Sequence, residues 1–217
     1  LGIPTLIAQT PRCWIDLNRR ETDIDELLVT LPAGRAGGTG MKVRAGLGLI
    51  PRRLARGGDI WRDKISSDDM DKRISTIHRP WHQAIAEMLR RVRQDYGCAV
   101  LLDLHSMPTP LGRDAPQIVV GDLFGQSASG PFSQLAMHMA RQSGFRAALN
   151  SPYAGGHTLE RHGNPATQVH ALQIEVDRSL YLDRDHDRPI AAISKVQDFV
   201  ARLATALAEE ALSTQFP

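Results

Sequence analysis

Val100-Leu-Leu-Asp-Leu-His-Ser106 is an apolar run that ends in a carboxylate, an imidazole and a hydroxyl. Residues 99–104 read as a buried strand: short, mostly aliphatic, entered from Gly97 and left toward Pro108 and Pro110. Side chains alternate along a strand, so Asp103 and His105 point to one face and Leu104 to the other. A carboxylate two residues before an imidazole suits a metal ligand and the group that orients it, and ligands collect at the carboxyl ends of strands in open α/β sheets. The alternative for the same residues is a histidine capping a turn beside an aspartate.

Outward from this strand, residues 117–120 and 146–149 read as further strands, and 171–176 as one carrying Gln173 and Glu175 on a single face. Residues 132–143 have the pattern of an amphipathic helix closed by Gly144, and 190–212 that of a long one with a frayed tail. Upstream, Ser66 or Ser67 before Asp68 and Asp69 signals a helix start. The stripe Ile74, Ile77, Trp81, Ile85, Met88, Leu89 and Val92 carries that helix to about Tyr96, with Pro80 kinking or splitting it. His78 and His82 lie four apart on it. Without the Glu of a His-Glu-x-x-His helix they read as surface or substrate-side histidines. Residues 46–53 and 58–65 have a hairpin-like rhythm, and 5–8 and 12–17 read as two short strands. The Gly-rich stretch 33–40 lacks a Gly-Lys-Ser/Thr ending and so is no phosphate-binding loop. It is a mobile loop over the site or a plain connector. Strands alternating with helices predict an α/β fold, a mixed sheet flanked by helices.

At 217 residues, 42% hydrophobic and 23% charged, the chain has the composition of a folded soluble protein and is read as one domain. A net charge of +2 argues against nucleic acid or an anionic membrane as partner. Arg52, Arg53 and Arg56, and Arg90, Arg91 and Arg93, have no interleaved aromatics and read as solvated faces. No apolar run approaches the ~20 residues of a membrane span. Cys13 and Cys98 lie in apolar strand-like runs, as buried small hydrophobes in a reducing cytoplasm would. Leu1 to Ile7 looks like the approach to a strand, as if the chain began part-way into a larger fold.

Polar clusters close several of these apolar runs. Asp16-Leu-Asn-Arg19, Asp103-Leu-His-Ser106, Pro152-Tyr-Ala-Gly-Gly156 and His170-Ala-Leu-Gln-Ile-Glu175 occur in that order, the last followed by Asp177-Arg178-Ser-Leu-Tyr181. A carboxylate inside Ile174-Glu175-Val176 costs several kcal/mol if buried unpaired, so it faces outward or is kept for a task. This ordered set, from about Ala8 to Leu182, resembles the N-formylglutamate amidohydrolase family, itself similar to zinc carboxypeptidases and to the succinylglutamate desuccinylase/aspartoacylase group.

The resemblance implies a zinc-carboxypeptidase-like (phosphorylase/hydrolase-like) sandwich and a cytoplasmic enzyme of amino acid degradation, in histidine catabolism. It implies zinc-dependent hydrolysis of a small N-acylated acidic amino acid, N-formyl-L-glutamate giving glutamate and formate. His105 would ligate one Zn2+, oriented by Asp103. Asn18 and Arg19 would bind a substrate carboxylate and polarise the scissile carbonyl. Glu175 would be the general base, while Tyr153, Gly155, Gly156 and Arg178 would contact substrate. Zinc would bring its bound water to a pKa of ~7. The family's other ligands, from a Pro-His-Ser-Gly-like segment and a following acidic residue, precede the Asp-x-Asn-Arg motif. The fifteen residues before Asp16 hold no His, Asp or Glu. The single hydrolase domain, residues 1–217, would thus lack the family's N-terminal metal-ligand segment. The ligands lie upstream, or His157, His162 or His170 substitutes, or the chain is an inactive relative that binds a small carboxylate. Oligomeric state is left open by the sequence.

Overall fold

Ser66 caps a helix as its neighbours predict: its hydroxyl accepts the Asp69 N–H at 3.2 Å, with Asp68 and Asp69 in the first turn. In the computed structural model, residues 3–54, 57–185 and 188–213 are described. The chain divides into two compact units, Pro4–Glu87 and Met88–Pro217 with Leu1–Ile3.

The Pro4–Glu87 unit contains little regular structure. Strands β1 (Val29–Thr30) and β2 (Ile65–Ser66) pair in parallel, and α1 (Met41–Arg44) is a single turn. Helix α2 (Ser67–Arg73) passes through a π-helical turn, Ile74–His78, directly into α3 (Arg79–Tyr96). Pro80 therefore neither ends nor splits the run. It has no N–H to donate, and the turn before it widens so that the Arg79 N–H bonds Ile74 O. Ile15, Ile24, Leu28, Leu49, Ile65, Met70 and Ile74 form the core. The hairpin rhythm survives as an antiparallel bridge between Arg53 and Asp59.

Residues 5–8 and 12–17 are not strands. Side chains hold the second stretch in turns: Asp16 Oδ1 accepts the Asn18 N–H at 2.9 Å, and the guanidinium of Arg73 donates to Trp14 O at 3.0 Å. Cys13 is exposed in consequence, and Cys98 alone is the buried hydrophobe expected of both. The Gly-rich stretch is pinned at its middle. Gly37 N–H donates to Glu26 Oε1 at 2.6 Å, Gly38 N–H to Ile24 O at 2.9 Å, and Arg35 forms a forked pair with Asp71, both arms 2.8 Å. Arg52 is mostly buried between Asp25 and Asp59 rather than solvated, whereas Arg90, Arg91 and Arg93 are exposed. Arg56 and the tail beyond Ser213 lie outside the described residues.

The Met88–Pro217 unit is built on a four-stranded mixed sheet in the order β3 (Ala99–Met107), β6 (Val169–Asp177), β4 (Ile118–Gly121), β5 (Ala147–Leu149). β3 runs parallel to β6, and β4 antiparallel to it. Every residue of β6 after Val169 is buried, as a central strand requires. Ile118, Val120, Leu172, Ile174 and Val176 share a core with Phe132 and Ala136 of α4 (Gly130–Gln142) and with Phe199, Leu203 and Leu207 of α6 (Ile193–Ser213). A short helix, α5 (His157–His162), packs on β6. Gly144 closes α4 at φ +75°. Among the described residues no helix is long and apolar enough to cross a membrane.

Candidate active site

Strand alternation splits the sheet of the Met88–Pro217 unit into unlike faces. Val100, Leu102, Leu172, Ile174 and Val176 belong to the apolar core. The residues between them include Asp103, His105, Gln173 and Glu175, and the β3–β6 register sets Asp103 beside Gln173 and His105 beside Glu175. His105 Nε2 and Asp103 Oδ2 are 2.9 Å apart; Gln173 Nε2 donates to Glu175 Oε1 at 2.9 Å. A carboxylate thus orients the imidazole, and an amide orients the buried carboxylate, side by side on neighbouring strands.

The Pro152–Gly156 loop is laid against the same region by two glycines. Gly121 faces Gln173 across β4 and β6, and a Cβ there would stand 2.7 Å from the Ala154 carbonyl carbon. Gly155 has φ +119° and lies against Leu159, so side-chain-bearing residues are refused on two counts. Asp122 ties down the base of the loop. It accepts Asn150 Nδ2 at 2.7 Å and the Ser133 hydroxyl at 2.5 Å, while Leu123 N–H bonds Ala154 O at 2.8 Å. Tyr153 is exposed at the tip. Arg178, a substrate contact by the family resemblance, donates to Ser106 Oγ at 3.3 Å. Ser106 follows His105 directly, so it belongs to the other face of β3. A largely apolar groove of about 590 Å3 opens there, between Leu104, Tyr181, Val196 and Val200.

Two histidines of this unit are held neutral. Burial lowers His162 from 6.5 to about 4, with Arg161 and His157 adding to the shift, and burial lowers His170 as well. His170 Nδ1 accepts the Ser129 N–H at 3.2 Å, which requires its lone pair. Unfolded histidines take protons that the folded ones refuse, so this contribution is complete above pH 6.5 and lost as pH falls toward 4. We expect His162 alone to cost about 3 kcal/mol across that window. Denaturant midpoints at pH 7 and 4.5 should converge in His162→Leu relative to wild type, and parallel losses would deny His162 this part.

In the Pro4–Glu87 unit, Asn18 and Arg19 are buried on a turn. Arg19 Nε donates to Leu47 O at 2.9 Å and Nη1 to Asn18 O at 3.0 Å, while Nη2 has no hydrogen bond among the described residues. Asp16 Oδ2 stands 3.8 Å from Arg19 Nε and is also held by Arg12 at 2.9 Å. Burial lowers the Arg19 pKa against the pull of Asp16; Lys42 is lowered by burial and then by Arg19. The charge of Lys42, an exposed residue, is thus felt together with that of Arg19, and nothing in the spacing of Lys42 announced it. His78 and His82 are not surface groups. Both are fully buried, and their Nε2 atoms meet Arg19 O at 2.9 Å and Leu17 O at 3.0 Å.

A model of the N-formylglutamate amidohydrolase family matches residues 1–182. The chain belongs to that family. It is 28% and 30% identical, over 190 residues, to the N-formylglutamate deformylases of Pseudomonas putida and Pseudomonas aeruginosa. Each match takes in 84% of this chain and 66% of the relative, so the chain spans just under two thirds of their length. The crystal structure of N-formylglutamate amidohydrolase from Ralstonia eutropha JMP134 superposes with a TM-score of 0.85 at 29% identity, covering 93% of this chain and 75% of that one. Within this family member, the matched region contains both the Asn18–Arg19 turn and the His105–Glu175 face.

Proposed function

We propose that the protein hydrolyses the amide bond of a small N-acylated acidic amino acid, N-formyl-L-glutamate, to glutamate and formate on a zinc-carboxypeptidase-like sandwich. The observation that carries this reading is the register of Asp103–His105 against Gln173–Glu175, an oriented imidazole beside an oriented buried carboxylate. Family membership supplies the substrate class.

The Asp103–His105 pair fits one ligand of a metal centre, because a carboxylate behind the ring fixes its tautomer and direction. Within either unit alone, three metal-binding side chains do not converge among the described residues. A catalytic zinc takes about three protein ligands, so the ion would supply water activation only with ligands beyond this pair. Glu175 takes a proton from the water whose oxygen attacks the formyl carbon and returns it to the amine as the C–N bond breaks. Arg19 binds a substrate carboxylate through its uncommitted Nη2, with Asn18 beside it and Lys42 adding positive potential. The Tyr153–Gly156 loop borders the Gln173 end of the site, and Tyr153 contacts the substrate's outer end.

Formate release from N-formyl-L-glutamate by the purified protein, measured together with its zinc content, tests the proposal. Turnover that fails on zinc chelation and returns on zinc addition supports it. Metal-free, inert protein that still binds N-formyl-L-glutamate would make the chain an inactive carboxylate-binding relative. Arg19→Ala is expected to raise KM roughly 30- to 100-fold, the worth of a charge-assisted hydrogen bond, with a smaller effect on kcat. Steady-state kinetics beside a melting curve check this; an unchanged KM in folded protein removes Arg19 from substrate recognition.

A further inference from the structure

One helical run grips the turn that carries Arg19 at three backbone carbonyls. Arg73, at the end of α2, donates to Trp14 O; His78, at the end of the π-helical turn, meets Arg19 O; His82, one turn into α3, meets Leu17 O. A carbonyl only accepts, so both histidines must carry their hydrogen on Nε2. The imidazoles stack on each other with ring centroids 4.5 Å apart, which limits how far either can swing. The carbonyls they hold flank Asn18 on both sides, and Asn18 in turn supplies the carbonyl that fixes Arg19 Nη1. The direction of the guanidinium is therefore set two bonds back, by rings that reach it through the backbone.

We propose that His78 and His82 are positioning residues for substrate recognition, holding the Leu17–Arg19 turn so that Arg19 presents Nη2 to an anionic group. This rests on the reading of Arg19 as the carboxylate-binding residue. A buried histidine pair serving the fold alone would stabilise the turn without tuning what Arg19 binds. Here the two rings hold the carbonyls on either side of Asn18, next to the side chain assigned to carboxylate binding. The π-helical turn just before Pro80 ends on His78, and turns of this kind often mark functional positions.

The discriminating comparison is His82→Gln against His82→Asn, and the same pair at His78. A glutamine amide nitrogen reaches the place of Nε2, whereas that of asparagine stops near Nδ1. Both are neutral, polar and smaller than the ring, so any loss of packing is shared. The glutamine variants are expected to keep KM for N-formyl-L-glutamate within threefold of wild type, and the asparagine variants to raise it tenfold or more with kcat within threefold. The nitrogen-15 NMR signal of Arg19 Nε–Hε, assigned with Arg19→Lys, should move in the asparagine variants and stay in the glutamine variants. Equal KM values and an unmoved Arg19 signal in folded Asn and Gln proteins would overturn the proposal. Wild-type protein without turnover would count against the proposed reaction, and the Arg19 signal would still decide the positioning role. If the asparagine variants do not fold, glutamine variants with displaced Arg19 signals and raised KM would equally overturn it.

Discussion

Glu175→Gln is expected to lower kcat for N-formyl-L-glutamate about a thousandfold or more while leaving the melting temperature within a few degrees. The carboxylate stands on the central strand β6, mostly buried, and Gln173 Nε2 donates to it at 2.9 Å. A glutamine at 175 is close to isosteric and still offers a carbonyl oxygen to Gln173 Nε2, so no cavity is created and that amide keeps an acceptor. What disappears is the basic oxygen. Moving a proton from water to the departing amine by a placed side chain contributes roughly 100- to 10,000-fold. Recognition is assigned to Arg19, so KM should change far less than kcat, the signature of an interaction used in the transition state. The check is steady-state formate release by both proteins, with thermal unfolding and zinc content as controls. Folded protein with retained turnover would take the general-base role from Glu175.

The face to which this chemistry is assigned was legible because strand periodicity leaves no choice. In an aliphatic run, Asp103 and His105 must share a side, as must Gln173 and Glu175, and the structure places the two pairs in register. The pairing of β3 with β6 was not legible, since some sixty residues separate them and only the family resemblance joined them. Residues 12–17 failed as a strand for a local reason. Asp16 captures the Asn18 N–H, and side chains from residues 73 and 82 take the Trp14 and Leu17 carbonyls that a ladder would have used. Hydrophobic pattern sees none of these partners. The i, i+4 spacing of His78 and His82 was visible, but Pro80 suggested a broken helix, whereas a π-helical turn absorbs the missing donor. The motif put Arg178 near substrate, and no spacing announced its hydrogen bond to Ser106 across the end of the strands.

Arg73→Met is expected to cost about 3 kcal/mol of stability in the Pro4–Glu87 unit. The guanidinium carbon lies 3.6 Å from the ring centre of Trp14 and 5.0 Å from that of Trp61, so one cation stacks against both indoles. Its Nη1 holds Trp14 O at 3.0 Å and its Nη2 holds Asp69 at 2.5 Å. Asp69 is well exposed, which limits that ion pair to a small share, and Trp14 is partly exposed, which trims the stack. The dominant loss is the charged donor to the Trp14 carbonyl, roughly 1.5–3 kcal/mol, with the cation–π contact adding about 1. Methionine retains the apolar stem, so cavity formation contributes little. For a chain of this length the melting temperature should fall by roughly 6–12 °C. Trp14 and Trp61 tilt toward each other at 5.9 Å, so intrinsic fluorescence reports the same event. Arg73→Lys separates the causes: it keeps the charge near the indoles but loses the planar fork, and should recover less than half of the loss. Full recovery by lysine would mean that charge alone, rather than the stacked and hydrogen-bonded plane, fastens the Trp14 carbonyl to its helix.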